Sequence, residues 1–187
     1  MRRALQNIIE ELLGAVLPLS ELHREGIADT PRRVVKAYDE WLKGYRTSPA
    51  DLLTHFADGS EAYRDIVLVK DIPLYSMCEH HLAPFFGVAH VAYIPNGRVV
   101  GLSKLPRLVD CFARRLQVQE RITSQVATTL NESDLKPMGV GVILRCRHLC
   151  MESRGICQQG HHTVTTALHG VIKEEPETRA EFLRMAL

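Results

Sequence analysis

The feature that most limits what this chain can fold into is the order in which its hydrophobic periods change. Leu5, Ile8, Ile9, Leu12, Leu13 and Val16 recur at helical spacing, which predicts a first helix ending near Leu17-Pro18. A second is predicted to start sharply, with Asp29 or Thr30 as its cap and Pro31 in its first turn. Its buried stripe is Val34, Val35, Tyr38, Trp41 and Leu42, before Gly44. Residues 47–63 have no sustained period and read as a surface connection with one short helical piece. From Ile66 the pattern is that of strands: residues 66–69, then 85–94 closed by Pro95-Asn96-Gly97, with a short return through Val99 and Val100. Ser103 is placed to cap a helix whose apolar face is Leu105, Leu108, Val109, Phe112 and Leu116, and a further helix turns Ile122, Val126 and Leu130 inward. Strands at 140–151 and 163–171 and a terminal helix from about 177 to 185 complete the order. Strands gathered in pairs around helices, without strict alternation, predict an α+β domain with a largely antiparallel sheet packed on helices. The expected division is a helical arm at 1–64 and a sheet domain at 65–187.

The chain has 187 residues and 45% hydrophobic content, enough for a real core. Lys plus Arg number 23 against 22 for Asp plus Glu. A net charge of +1 gives no global field for nucleic acid or an anionic membrane, so any anion site must be local. Gln6, Asn7, Glu10 and Glu11 interrupt the apolar core that a signal peptide would need after Arg2-Arg3. No window is apolar for long enough to span a bilayer, and the cytoplasm is the simplest location. Five cysteines, an odd count without a secretion signal, argue for thiols or metal ligands over a disulfide framework. There is no internal repeat and no low-complexity segment.

Met77-Cys78-Glu79-His80-His81 sets a thiol and an imidazole at Cys-x-x-His spacing between two strands, where one turn can offer two ligands to one metal ion. On composition alone, a buried free thiol beside polar loop histidines is an equal reading. The other half is Arg145-Cys146-Arg147-His148-Leu149-Cys150-Met151. Strand alternation would send Cys146, His148 and Cys150 to one face, adjacent ones roughly 7 Å apart. Cys146 would then lie about 13 Å from Cys150, too far to share its ion, and is expected in the core. Cys78, His81 and Cys150 leave a fourth position open, the pattern of a catalytic zinc. His80 and His148 stand near as proton carriers. Either could instead close a structural site.

Several blocks together resemble one family: Cys78-Glu79-His80-His81, Ile94-Pro95-Asn96-Gly97, Gly101-Leu102-Ser103-Lys104-Leu105, Arg114-Arg115-Leu116-Gln117-Val118-Gln119-Glu120-Arg121, and His148-Leu149-Cys150-Met151 with Arg154-Gly155. In this order, from about Asp29 to Gly170, the chain is similar to GTP cyclohydrolase I. The resemblance implies a tunnelling fold (T-fold), with a four-stranded antiparallel sheet, two helices on one face and an N-terminal helical pair. It implies hydrolytic opening of the GTP imidazole ring, loss of C8 as formate, and rearrangement to 7,8-dihydroneopterin triphosphate. Zn2+ on Cys78, His81 and Cys150 would activate water against C8. His148 would protonate the ring nitrogen and His80 would assist later transfers. Glu120, with Gln119 beside it, would bind guanine; by residue type alone Glu120 is a carboxylate at a helix's positive end.

Ser103, Lys104, Arg107 and Arg154 would hold the triphosphate. Gly101-Leu102-Ser103-Lys104 lacks the spaced glycines of a Walker loop, which disfavours a generic kinase or GTPase. Arg33 and Lys36 match positions that reach the phosphates from a neighbouring subunit, and the family assembles as a homodecamer of two pentamers. Two departures stand out: Glu152-Ser153, where an acid would weaken GTP binding, and His161-His162. The chain begins almost at its first helix, so regulation through a longer N-terminal segment is not expected. Two other readings stay open: a T-fold enzyme acting on a pterin or deazapurine, and a non-catalytic module around a closed structural zinc.

Overall fold

The computed structural model describes residues 2–57 and 62–187, so the part of the 47–63 connection at 58–61 lies outside the described residues. Two compact units divide the chain, residues 1–43 and 44–187. In the first, helix α1 (Arg2–Val16) is followed by single turns α2 (Leu19–Leu22) and α3 (Glu25–Ala28) and by α4 (Thr30–Trp41). Arg2 pairs with Asp39 at 2.8 Å. Asp29 precedes α4, but its side chain makes no cap bond and instead takes Arg32 Nη2 at 2.7 Å. Of the stripe expected on α4, only Val35 is buried, together with Pro31.

The second unit opens within a 3-10 turn (Lys43–Arg46), and a second 3-10 turn (Ala50–Leu52) is the short helical piece expected in the 47–63 connection. It continues through β1 (His55–Phe56), β2 (Val67–Cys78), β3 (Pro84–Ile94), β4 (Val99–Val100), α5 (Lys104–Ala113), β5 (Leu116–Gln117), α6 (Gln119–Glu132), β6 (Gly139–His148), α7 (Leu149–Glu152), β7 (Thr163–Gly170), α8 (Val171–Glu174) and α9 (Pro176–Ala186). The main sheet runs β5-β2-β3-β6-β7, antiparallel except for the short parallel contact of β5 with β2. Its four long strands are the antiparallel sheet expected.

Three details differ from the sequence expectation. The Val99-Val100 return pairs with His55-Phe56 and not with β3. Leu116 leaves the α5 face and joins β5, because α5 ends at Ala113. Ser103 precedes α5 without a side-chain cap bond.

Alternation along the strands splits the sheet residues between two cores. Ile72, Leu74, Phe85, Ala89, Val91, Tyr93, Val142, Leu144 and Cys146 pack under Leu105, Leu108 and Phe112 of α5 and Ile122, Val126 and Leu130 of α6. On the opposite face Ala92, Ile94 and Ile143 meet Ile172, Phe182 and Ala186 of the C-terminal helices. Phe182 is fully buried, and a Cβ at Gly141 would stand 2.8 Å from its ring. Emptying that position by Phe182→Ala would cost about 3–5 kcal/mol.

Gly87 allows β3 and β6 to approach: any Cβ there would meet the Arg145 carbonyl oxygen at 2.0 Å. The consequence is a sheet edge at which the end of β2, the start of β3 and the end of β6 come together, with Met77 opposite Pro84 and Phe85 opposite His148.

Candidate metal centre and its histidine network

β2 ends on Cys78 itself, and the chain reverses at once. Leu82 N–H donates to the Cys78 carbonyl at 2.9 Å, Cys78 N–H donates to the Ala83 carbonyl at 2.8 Å, and Leu82 takes a left-handed φ of 50°. This tight turn returns His80 and His81 toward the thiol they follow, with Nδ1 atoms 3.8 and 3.7 Å from Cys78 Sγ. Glu79 ties the turn to α6 through a two-bond pair with Arg121, at 2.5 and 3.0 Å. That guanidinium holds the Glu79 carboxyl below the usual glutamate range.

The third member arrives from β6, but not by strand alternation. The strand expected to reach Met151 stops at His148, and Cys150 sits in the single helical turn α7. The helical turn therefore replaces the predicted same-face spacing of roughly 7 Å. It brings Cys150 to the end of β2, and the ligand atoms of Cys78, His81 and Cys150 all lie within 4.8 Å of one another. Burial and the neighbouring Cys78 thiol push the Cys150 thiol up. Cys146, two residues before His148, is fully buried, and burial pushes its thiol to about 12, so it stays a neutral core residue. The expectation that Cys146 belongs to the core holds.

Behind this edge His148 lies flat on Phe85, with ring centroids 4.6 Å apart and planes 9° from parallel. Its Nε2 is 2.9 Å from Gln119 Oε1. Burial lowers the His148 pKa, and Glu120 opposes this from the first turn of α6. Gln119, expected to bind substrate beside Glu120, is 1% exposed, and its amide nitrogen is directed at Leu144 O, Thr163 O and Thr165 Oγ1. Glu120 itself is exposed.

Arg154, exposed, lies close enough to Cys150 to act on its thiol electrostatically. Gly155 follows with φ of 62°, a left-handed turn that suits glycine. Ser103, Lys104 and Arg107 gather at the start of α5, and among the described residues none of their side chains is hydrogen-bonded or ion-paired to the cluster. Arg33 and Lys36 project from α4 in the first unit, both exposed, with Arg33 3.7 Å from Asp29.

Glu152 is the clearest departure from expectation. Instead of standing as a free acid near a phosphate site, its side chain is 4% exposed and clasped by Arg147 at 2.9 and 2.5 Å. The guanidinium depresses its pKa and compensates its charge. Sequence reasoning also passed over Glu79, Arg121 and Thr165. The only available signal was that Glu79 and Arg121 fall inside the two blocks that carry the resemblance. A cavity of about 450 Å³ lined by Leu53, His55, Thr129, Glu132 and Asp134 does not include the cluster.

The fold and this site together define an α+β protein with a Cys₂His group that could hold a metal ion, backed by a half-buried His148 bonded to a buried Gln119. The family model for GTP cyclohydrolase I matches residues 5–187, and the chain belongs to that family and has its T-fold. A relative from Nitrosospira multiformis, "GTP cyclohydrolase 1", is 58% identical over 163 residues, covering 87% of this chain and 85% of that one. Another so described, from Janthinobacterium, is 56% identical with 87% and 82% covered. One from Leptospira biflexa is 49% identical over 179 residues, with 96% of each covered. Among solved structures, an archaeosine synthase in the apo form matches with TM-score 0.44 and 19% identity, covering 57% of this chain and 94% of that one. Among the described residues no helix is long and apolar enough to cross a membrane.

Proposed function

We propose that this chain opens the imidazole ring of GTP with water, releases C8 as formate and rearranges the remainder to 7,8-dihydroneopterin triphosphate. The observation that carries the reading is the convergence of Cys78, His81 and Cys150 within 4.8 Å beside a half-buried His148. Two thiolates and one imidazole form the donor set of a three-ligand zinc site, and these three residues would hold the ion. Bound there, zinc supplies Lewis acidity that makes water nucleophilic near neutral pH.

The chain's own groups divide the remaining work. Glu120, exposed at the first turn of α6, accepts hydrogen bonds from guanine N1–H and the 2-amino group. Adenine offers no such pair of donors and would forfeit both hydrogen bonds. His148, neutral because burial opposes its charging, carries protons to and from the ring nitrogen that is released when C8 is attacked. His80, exposed beside Cys78, assists the later transfers.

The triphosphate is met by Ser103, Lys104, Arg107 and Arg154, with Arg33 and Lys36 contributed by a neighbouring copy. That sharing makes the functional unit an oligomer, a decamer of two pentamers, with residues 1–64 as the arm and 65–187 as the catalytic domain of each copy. The cytoplasm is the proposed location.

GTP labelled at C8 tests this reading. The label should appear in formate, in step with a pterin-type absorbance. Label retained in a purine, or turnover of a pterin or deazapurine in place of GTP, would overturn it.

A further inference from the structure

The protons around Gln119 can be placed one at a time. Thr123 donates its only hydroxyl proton to the Gln119 backbone carbonyl at 2.8 Å. In the 2.6 Å contact between Thr123 and Thr165 the donor must then be Thr165. Thr165 Oγ1 is left to accept from Gln119 Nε2 at 3.1 Å. The same amide nitrogen faces two carbonyl oxygens, Leu144 at 3.2 Å and Thr163 at 3.0 Å. Rotating the amide by half a turn would set its oxygen against both carbonyls, so its orientation is chemically fixed. Gln119 Oε1 therefore faces His148 Nε2 at 2.9 Å with no proton to give, and the proton in that bond must sit on His148 Nε2. The 9° stack on Phe85 fixes the plane of the ring.

We propose that Gln119 is the positioning residue that holds His148 in its Nε2–H tautomer, which leaves Nδ1 as the nitrogen that exchanges protons with the substrate. The Gln119 side chain then works through His148 and is not itself a guanine ligand. In each transfer Nδ1 takes a proton from water and passes it to the substrate ring nitrogen. The other proton stays on Nε2, donated to Gln119 Oε1 throughout, and the imidazolium formed in between keeps that bond. The tautomer follows from the hydrogen bonds alone, whereas the partner of Nδ1 rests on the function proposed above.

The test is the nitrogen spectrum of His148 in the ¹⁵N-labelled protein as purified, assigned by its loss in His148→Asn. A protonated-type shift at Nε2 and an unprotonated one at Nδ1 are expected. A proton on Nδ1, or an even mixture of tautomers, would overturn the proposal without any variant having to fold. In Gln119→Ala the ring should become a tautomer mixture, and kcat for GTP should fall about 10–100-fold with KM within about twofold. A Gln119→Ala protein whose KM rises while His148 keeps its Nε2–H form would make Gln119 a substrate ligand and contradict the proposal. A wild-type protein that shows Nε2–H but releases no formate from GTP would refute the proposed function and leave the tautomer standing.

Discussion

The metal edge and the Gln119 network lie next to each other and are built on opposite plans. At the edge, His80 and His81 are exposed, Cys150 is half-buried, and the three ligand atoms are gathered by two short turns. In the network, Gln119 and Thr123 are buried, every Gln119 side-chain atom that can bond is bonded, and the partners come from α6, β6 and β7. An open ligand set can accept an ion and a substrate. A saturated network leaves its histidine one orientation. The candidate ligand atoms are offered by short turns at strand ends, Cys78 and His81 from one and Cys150 from another, whereas proton placement depends on β6 and β7 packed beside α6.

The comparison can be broken most severely at the edge. Cys150→Ser removes one of the three candidate ligands, and retained metal and formate release should both fall to background, measured by metal analysis and turnover on one sample. His148→Asn should keep the metal and lower kcat by about 10²–10⁴-fold, because it removes the proposed proton carrier and not a candidate ligand. If it lost the metal instead, the two regions would be one.

Arg147→Ala tests a third kind of contact, a buried acid held by one cation, and should lower the melting temperature by several degrees with little change in metal content. The Glu152 carboxyl is depressed below its ordinary value of 4.5 by Arg147, so its contribution is present above that pH and is lost as pH falls through the folded pKa. The gap in melting temperature between wild type and Arg147→Ala should accordingly close on acidification. A gap that widens would contradict the pairing. The smallest effect is expected at Cys146→Ala: unchanged metal content and turnover, with a stability loss of about 1 kcal/mol from the small void.

Much of this was legible in the sequence where period and spacing carry it. The strand pairs, the α5 and α6 faces and the core place of Cys146 follow from alternation and the helical period, and Cys-x-x-His spacing makes Cys78 and His81 candidates on equal terms with a free thiol beside loop histidines. Cys150 was reached by an alternation that does not exist, since β6 stops at His148 and a helical turn carries the thiol onward. Nothing in a single sequence tells where such a strand must end. The Arg147–Glu152 pair was hidden for a related reason. Between neighbours in sequence, an acid reads as exposed unless the turn that folds it back is known. Thr163 and Thr165 carry no signal at all, because their role exists only once β7 lies beside β6.

The proposed chemistry requires one ion bound by Cys78, His81 and Cys150 beside a fixed His148. Its most direct test is zinc titrated into chelated protein while formate release from GTP is followed. Activity should be absent at the start and rise in proportion to added zinc until one equivalent per chain is bound. Full activity in the metal-free protein, or a metal that binds without restoring formate release, would contradict it.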